Sequence, residues 1–430
     1  MTQSLPQLIL PIKMEKSSER LTSLSGLVIL EELARATGIW DRLDAVLQAP
    51  QSGRGYQPSE FVQPLVWMLH AGGRRLEDLR ELRAEEEALK ELGLRAVPDA
   101  GTVGDWLRRQ GQAGVAAVQA VSREMVQEAL RQEPEEVILD VDATEIEAEK
   151  AEAAWTYHKV KGYMPLLGYV SGICVGHQFR AGNESPGAGI LEFAQSCEAA
   201  LPKGKRIYFR SDSAAYQAKV INHYSQPGRS FTITADLDAA VRREIENLPQ
   251  TAWTAYRTQD GIATDREIAE TVHTMNGTQQ AFRLIVLRWA NPQPDLFEAG
   301  RYCYHAVANN RQEAAMEVIW KHNERGNSEN WHKEFKVGFA MEQMPCGQFD
   351  ANALYFAIGV LAYNLGQLLK QQVLPESYRT VTVATLRWKL YRLAGKLVRH
   401  ARKWVLQIKA EAEKWLLLEA ARLRCAMLRT

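Results

Sequence analysis

Cysteine is scarce in this 430-residue sequence and never clustered. Cys174, Cys197, Cys303, Cys346 and Cys425 are odd in number, widely spread and free of any C-x-x-C pair, which excludes a disulfide framework and a thiolate zinc site. Reduced, buried thiols are expected. Cys174 and His177 have a ligand-like gap, but no second pair lies near them. Long apolar runs are missing as well: no window reaches the ~18 uninterrupted apolar residues of a membrane span. The early run LILPI is short, broken by Pro11 and followed by no small-residue cleavage site, so no signal peptide is expected and a cytoplasmic protein is. Internal repeats and low-complexity segments are absent too. Net charge is zero, which by itself predicts no polyanionic partner. What remains is 46% hydrophobic, an ordinary globular composition with length for two to four domains.

The distribution of charge is more informative than its sum. Asp and Glu dominate from Glu133 to Glu152. From Leu386 onward, Arg387, Lys389, Arg392, Lys396, Arg399, Arg402 and Lys403 recur among apolar residues with few acids between them. This end reads as an amphipathic basic helical region, suited to phosphates, a membrane surface or an acidic partner.

Residues 26–50 read as a helix pair. An apolar helix follows from Ser59 to Gly72–Gly73, then an amphipathic helix over RRLEDLRELRAEEEALKELGL closing at Gly93, then a segment opening at a Pro–Asp turn and carrying Arg108 and Arg109. Short helices joined by Gly turns suit a helix-turn-helix-like module and equally a plain helical bundle. After Pro134 the pattern becomes three strand-like segments, then helix, strand, helix and strand, which predicts a mixed α/β sheet. From Ala239 to His305 the chain is β-leaning, with QTAWTAYRT, AFRLIVLRWA and RYCYHAVANN as strands, and beyond it becomes helical again.

Three carboxylates stand out. Asp142 lies inside the apolar strand ILDVDAT, with Asp140 two residues earlier and so on the same face. Asp212 ends the strand YFRSDS, where ligands commonly bind in open α/β sheets. In NERGNSENWHKEFK, Arg325, Glu329 and Lys336 stand at offsets of four and seven, one face of a continuous helix. That spacing alone is common on solvated faces, where each pair contributes about 0.2–0.5 kcal/mol. A carboxylate inside an apolar strand, however, must be paired, hydrated or metal-bound. Converging, Asp142, Asp212 and Glu329 would make a hard-oxygen site for Mg²⁺, and two such ions could run an in-line phosphoryl displacement.

These blocks resemble bacterial insertion-sequence transposases of the DDE superfamily, specifically transposase DDE domain group 1, over nearly the full length. The group's signature is Tyr, two residues, Arg, three residues, Glu, six residues, Lys. Arg325, Glu329 and Lys336 fit it without a gap, while His322 takes the Tyr position. LDVDAT resembles the first Asp block and FRSDSAAY the second, with SEFVQPLVWMLHAGGRRLEDL, VPDAGTV, KGYMPLLGYV, FRAGNESPG and LAYNL in the expected order.

The resemblance implies an α/β fold with a ribonuclease H-like catalytic core, interrupted by a β-rich insertion and flanked by N-terminal and C-terminal helical regions. The implied division is 1–130 helical and DNA-binding, 131–238 first part of the core, 239–305 insertion, 306–345 second part with the Glu, and 346–430 C-terminal basic helices. Asp142, Asp212 and Glu329 are then the catalytic and metal-binding triad for two Mg²⁺ ions, with Mn²⁺ able to substitute. Asp140 is the alternative to Asp142. His322, Arg325, Lys336, Trp289, Arg387 and Arg399 are the expected DNA contacts, although Trp289 also fits a core position. The implied activity is cut-and-paste transposition, by a homodimer on the terminal inverted repeats of double-stranded DNA and on target DNA. A transposase-derived DNA-binding protein and a metal-dependent nuclease without strand joining are the alternatives.

Overall fold

The computed structural model describes residues 4–5, 9, 12–50, 54–292 and 301–429. Most of LILPI and residues 293–300 of the expected insertion lie outside them. The chain divides into two compact units, Met1–Trp106 with Leu369–Thr430, and Leu107–Leu368.

The first unit opens with short strands β1 (Ser4–Leu5), β2 (Met14–Glu15) and β3 (Leu21–Thr22), then helices α1 (Leu27–Ala36), α2 (Ile39–Val46), α3 (Ser59–Ala71), α4 (Leu79–Ala84) and α5 (Glu86–Glu91). The amphipathic helix expected over 74–94 is divided at Glu85. Its carboxylate accepts from Thr22 Oγ1 (2.6 Å), Ser23 N (3.1 Å) and Ser23 Oγ (2.9 Å), so the break fastens the end of β3. Inside the unit, Glu31 is buried and accepts from Trp40 Nε1, Gln63 Nε2, Trp67 Nε1 and Arg35 Nε. A buried carboxylate is tolerated because donors surround it. Helix α6 (Ala100–Ala129) carries a non-helical Gly111 (φ 51°).

The second unit is built on β4 (Glu136–Ala143), β5 (Ile146–Glu147), β6 (Ala154–Trp155), β7 (Lys161–Tyr163), β8 (Leu166–Val170), β9 (Ile173–Gln178), α7 (Ile190–Ala199), β10 (Arg206–Ser211), α8 (Ala218–Tyr224) and β11 (Arg229–Thr234). There follow α9 (Ala239–Glu246), β12 (Thr254–Arg257), β13 (Ala263–His273), β14 (Phe282–Ala290), β15 (Tyr302–Asn309), α10 (Ala315–Asn323), α11 (Gly326–Lys333) and α12 (Phe349–Leu368). Nine strands form one mixed sheet in the order β12-β13-β14-β15-β11-β10-β4-β8-β9, with β10 parallel to β4 and to β11. The side-chain period of two explains the central strand: Val137, Leu139 and Val141 are buried on one face of β4, and Ile138, Asp140 and Asp142 occupy the other. On α7, Ile190, Phe193, Ala194 and Cys197 repeat at helical spacing and are buried. Cys197 lies so close to the sheet that a Cβ on Gly176 would stand 2.5 Å from its Sγ. Beyond β11, Tyr256, Ile268, Ile285, Leu287 and Val307 form a core with Val318 and Ile319 of α10. Helix α10 is thereby fixed over the outer strands. Phe349–Val373 is long and apolar enough to cross a membrane, but its most apolar 18-residue window is wholly buried.

The chain returns to the first unit through α13 (Val383–Leu386), a π turn at Arg387–Tyr391, β16 (Gly395–His400), β17 (Lys403–Ile408) and α14 (Ala412–Met427). Here the structure corrects the expected basic helix. Gly395–Ile408 is an antiparallel hairpin, paired through β16 to β3. Leu397 and Leu406 pair across it on the face where Leu397 is buried, which a helix over these residues would not achieve.

Candidate active site

Strand register places the first two carboxylates. Asp140 pairs with Arg210 across the parallel β4–β10 ladder, so Asp142 and Asp212, each two residues farther along, come to the ends of neighbouring strands. Asp212 caps a 3₁₀ turn, its Oδ1 accepting from Ala214 N at 3.0 Å. Asp142 is four-fifths buried, and Arg325 Nη1 reaches its Oδ2 at 3.3 Å. Burial, the Asp212 carboxylate and, less strongly, Glu329 push the Asp142 pKa up to about 7, with Arg325 pulling the other way. Desolvation and like charge both disfavour ionisation. The strand ends are therefore short of positive charge.

Asp140 is a different kind of carboxylate. Its oxygens accept from Arg210 Nε (2.7 Å) and Nη2 (2.8 Å), and both side chains are buried. Burial raises the Asp140 pKa against the pull of Arg210. The bidentate pair engages both carboxylate oxygens of Asp140. Arg210 also donates to the carbonyl of Lys321 in α10 and lies 3.6 Å from Glu324, joining the sheet to the helix that precedes Glu329. The sequence signal for Arg210 was available: Arg-x-Asp on β10 beside Asp-x-Asp on β4 is one cross-strand pattern read at period two.

The signature segment is not one continuous helix. Helix α10 ends at Asn323, Arg325 precedes α11, and α11 passes into a π turn over Glu334–Gly338 that contains Lys336. The wider turn alters the offset-of-seven relation between Glu329 and Lys336. Both cations nevertheless reach the end of β4, Arg325 at Asp142 and Lys336 by donating to the carbonyl of Glu145 at 2.6 Å. Glu329 is exposed in the first turn of α11. Among the described residues, no group of three or more His, Cys, Asp or Glu side chains is gathered closely enough to hold a metal ion.

His322, expected to touch DNA, is buried. Its Nδ1 meets Thr232 Oγ1 at 3.0 Å and its Nε2 meets Thr234 Oγ1 at 3.1 Å, and burial depresses its pKa to about 3. A neutral ring with both nitrogens engaged cannot bind phosphate; it fixes α10 to β11. Arg387 is likewise turned inward, donating through Nε to the carbonyl of His70 (2.9 Å) and through Nη2 to that of Leu69 (2.6 Å). These are last-turn carbonyls of α3, that of Leu69 also accepting from Gly72 N at 3.3 Å, so Arg387 caps that helix. Trp289 is partly exposed on β14 with the Arg266 guanidinium 4.8 Å over its ring, neither in the core nor bare. Arg399 is exposed on β16.

Sequence reasoning gave no role to Glu145, which accepts from His158 at 2.6 Å beside the Lys336 anchor. His332, one turn after Glu329, is buried against the Tyr169 ring at 5.1 Å, and among the described residues neither of its ring nitrogens has a hydrogen-bond partner.

Comparison with curated proteins finds no match. The family described as transposase DDE domain group 1, however, matches residues 8–428, nearly end to end. With its acidic strand ends and mixed sheet, the chain belongs to the transposase DDE domain group 1 family.

Proposed function

We propose that this chain is a DNA transposase that cuts the ends of an insertion sequence and joins them to target DNA, acting as a homodimer on paired ends. The carrying observation is the register that sets Asp142 beside Asp212 at the ends of β4 and β10. The strand order β9-β8-β4-β10-β11, three antiparallel strands followed by two parallel ones, supports a ribonuclease H-like core. Strands β12 to β15, between Asp212 and Glu329, suit a β-rich insertion that extends the same sheet.

The donor set fits a divalent cation in its chemistry. Asp142 is desolvated and repelled by neighbouring carboxylates, and hard oxygens in such a setting bind Mg²⁺ or Mn²⁺. Asp142 and Asp212 would hold the ion, with Glu329 as the third ligand. When bound, a pair of such ions supplies an activated oxygen nucleophile and charge neutralisation for phosphoryl transfer. The chain's own residues position these groups. Arg325 supplies positive charge at Asp142, Lys336 ties α11 to the segment after β4, and the Asp140–Arg210 pair holds the two strands in register beneath the acids. The Arg325 guanidinium, held to Asp142 by a single 3.3 Å contact, would have donors left for a phosphate oxygen.

The test is strand cleavage and 3′-end joining on a duplex carrying the flanking ends of the element, with Mg²⁺ or Mn²⁺, comparing wild type with Glu329→Gln and Asp142→Asn. Cleavage and joining that vanish in both variants support the proposal. Cleavage without joining would replace it with a nuclease, and end binding without cleavage by any protein would leave a DNA-binding derivative.

A further inference from the structure

The β16–β17 hairpin has two properties that the catalytic reading does not use. From Ser377 to Ala410 the sequence contains no Asp or Glu. In the hairpin, Arg399, His400, Arg402 and Lys403 are exposed around the tip, and none of the described residues gives Arg399, Arg402 or Lys403 a carboxylate partner. Arg399 lies 5.9 Å over the Trp404 ring, which Arg20 also covers at 4.7 Å. Lys396, by contrast, is paired with Glu19 near the base, so the unneutralised charge is at the tip.

The second property is the turn itself. His400 pairs with Lys403, leaving a two-residue connection, Ala401–Arg402, and both residues have positive φ, 47° and 67°. Two-residue hairpins of this hand favour Asn–Gly, because L residues with larger side chains resist that backbone region. An arginine is held there instead, at the outermost point of an acid-free hairpin. Strain retained at an exposed cation is a reason to look for a ligand that needs the charge.

We infer that the tip of this hairpin is a phosphate-contacting arm for double-stranded DNA, independent of the carboxylate site. The inference rests on the proposed DNA-processing function, which supplies the polyanion. Arg399, Arg402 and Lys403 touch backbone phosphates, and a contact of this kind is sequence-independent and strongly salt-dependent. A two-stranded ribbon is also narrow enough to follow a duplex groove.

The experiment is fluorescence anisotropy of a labelled 30-bp duplex of unrelated sequence with the full chain at 50–200 mM KCl. It compares wild type with Arg399→Ala/Arg402→Ala/Lys403→Ala, Arg402→Gly and Ala401→Asn. Each released phosphate contact removes about 0.9 from the slope of log K against log salt, so the triple variant loses about 2.7 and binds at least about tenfold more weakly at 100 mM. Arg402→Gly relieves the turn, so its melting temperature holds or rises while its affinity falls. Ala401→Asn eases the same turn without removing charge and binds like wild type. Unchanged affinity and slope in the triple variant would overturn the inference while leaving the catalytic proposal standing, which cleavage by wild type against Asp142→Asn tests separately. Preference of wild type for phosphatidylserine vesicles over the duplex at equal salt would also overturn it, making the arm a membrane contact.

Discussion

Replacing Arg210 by Met removes the guanidinium from Asp140 and keeps an apolar stem of similar reach. The two side chains are only 4% and 3% exposed and joined by two hydrogen bonds of 2.7 and 2.8 Å, so the variant leaves a buried, uncompensated carboxylate. Breaking one partner of such a pair costs about 3–5 kcal/mol. The cost must depend on pH. Without Arg210, the folded-state pKa of Asp140 rises further above its unfolded value of ~3.9, so the penalty grows as pH rises from that value toward the folded pKa and is small near pH 4. Urea denaturation followed by tryptophan fluorescence at pH 5 and pH 8 should therefore show the larger loss at pH 8. Asp140→Leu/Arg210→Met, which removes both charges, should recover most of it. A loss below about 1 kcal/mol at pH 8, or a double variant no more stable than Arg210→Met, would refute the view that this pair holds β4 and β10 beneath the acids.

Asp142 ionises with difficulty, so metal-free protein loses stability as pH rises from the ordinary carboxylate range through about 7, and Asp142→Asn should melt higher than wild type at pH 8 without metal. Adding 10 mM Mg²⁺ should raise the wild-type melting temperature more at pH 8 than at pH 6, where the ion must displace a proton, and should leave the variant nearly unmoved; equal shifts at both pH values would count against this. Burial depresses His177 and His332 to about 4 and His322 to about 3. The unfolded chain takes up protons below ~6.5 that these rings refuse, so stability is full above that pH and is lost as pH falls, by up to about 1.4 kcal/mol per unit for each ring. His177→Gln should flatten the dependence between pH 6 and 5 by about one proton, and an unchanged slope would remove His177 from the account. Arg387→Ala should destabilise the fold through loss of the α3 cap, by roughly 1–2 kcal/mol in urea denaturation, with duplex affinity unchanged; weaker DNA binding at unchanged stability would restore Arg387 as a DNA contact.

The central strands were legible because their chemistry is local. Asp142 and Asp212 stand out within single strands, and a period of two puts Asp140 on the same face as Asp142. The C-terminal hairpin was not legible, for a definite reason. Its cations recur every three or four residues, as on a helix face, and Ala401–Arg402 has none of the Asn or Gly that marks a tight turn. His322 failed differently: its burial is set by Thr232 and Thr234, about ninety residues earlier, a tertiary fact that no local pattern carries. The break at Glu85 likewise depends on Thr22 and Ser23, some sixty residues away.

The seam between β11 and β15 has a mechanical consequence. Three residue pairs join these strands, Thr232 to Asn309, Ile233 to Ala308 and Thr234 to Val307, with one further bond from Ala235 N to the Ala306 carbonyl at 2.8 Å, whereas β14 and β15 share eight pairs. A load applied to the outer strands is carried toward β10 and β4 across this short ladder, so the sheet should yield there before it yields between β14 and β15. His322 binds the hydroxyls of two of the three β11 residues in that ladder, and α10 bears on Val307 beside it. The helix thus acts as a splint across the joint, and loosening the splint would let the outer strands flex while the acidic strand ends keep their spacing.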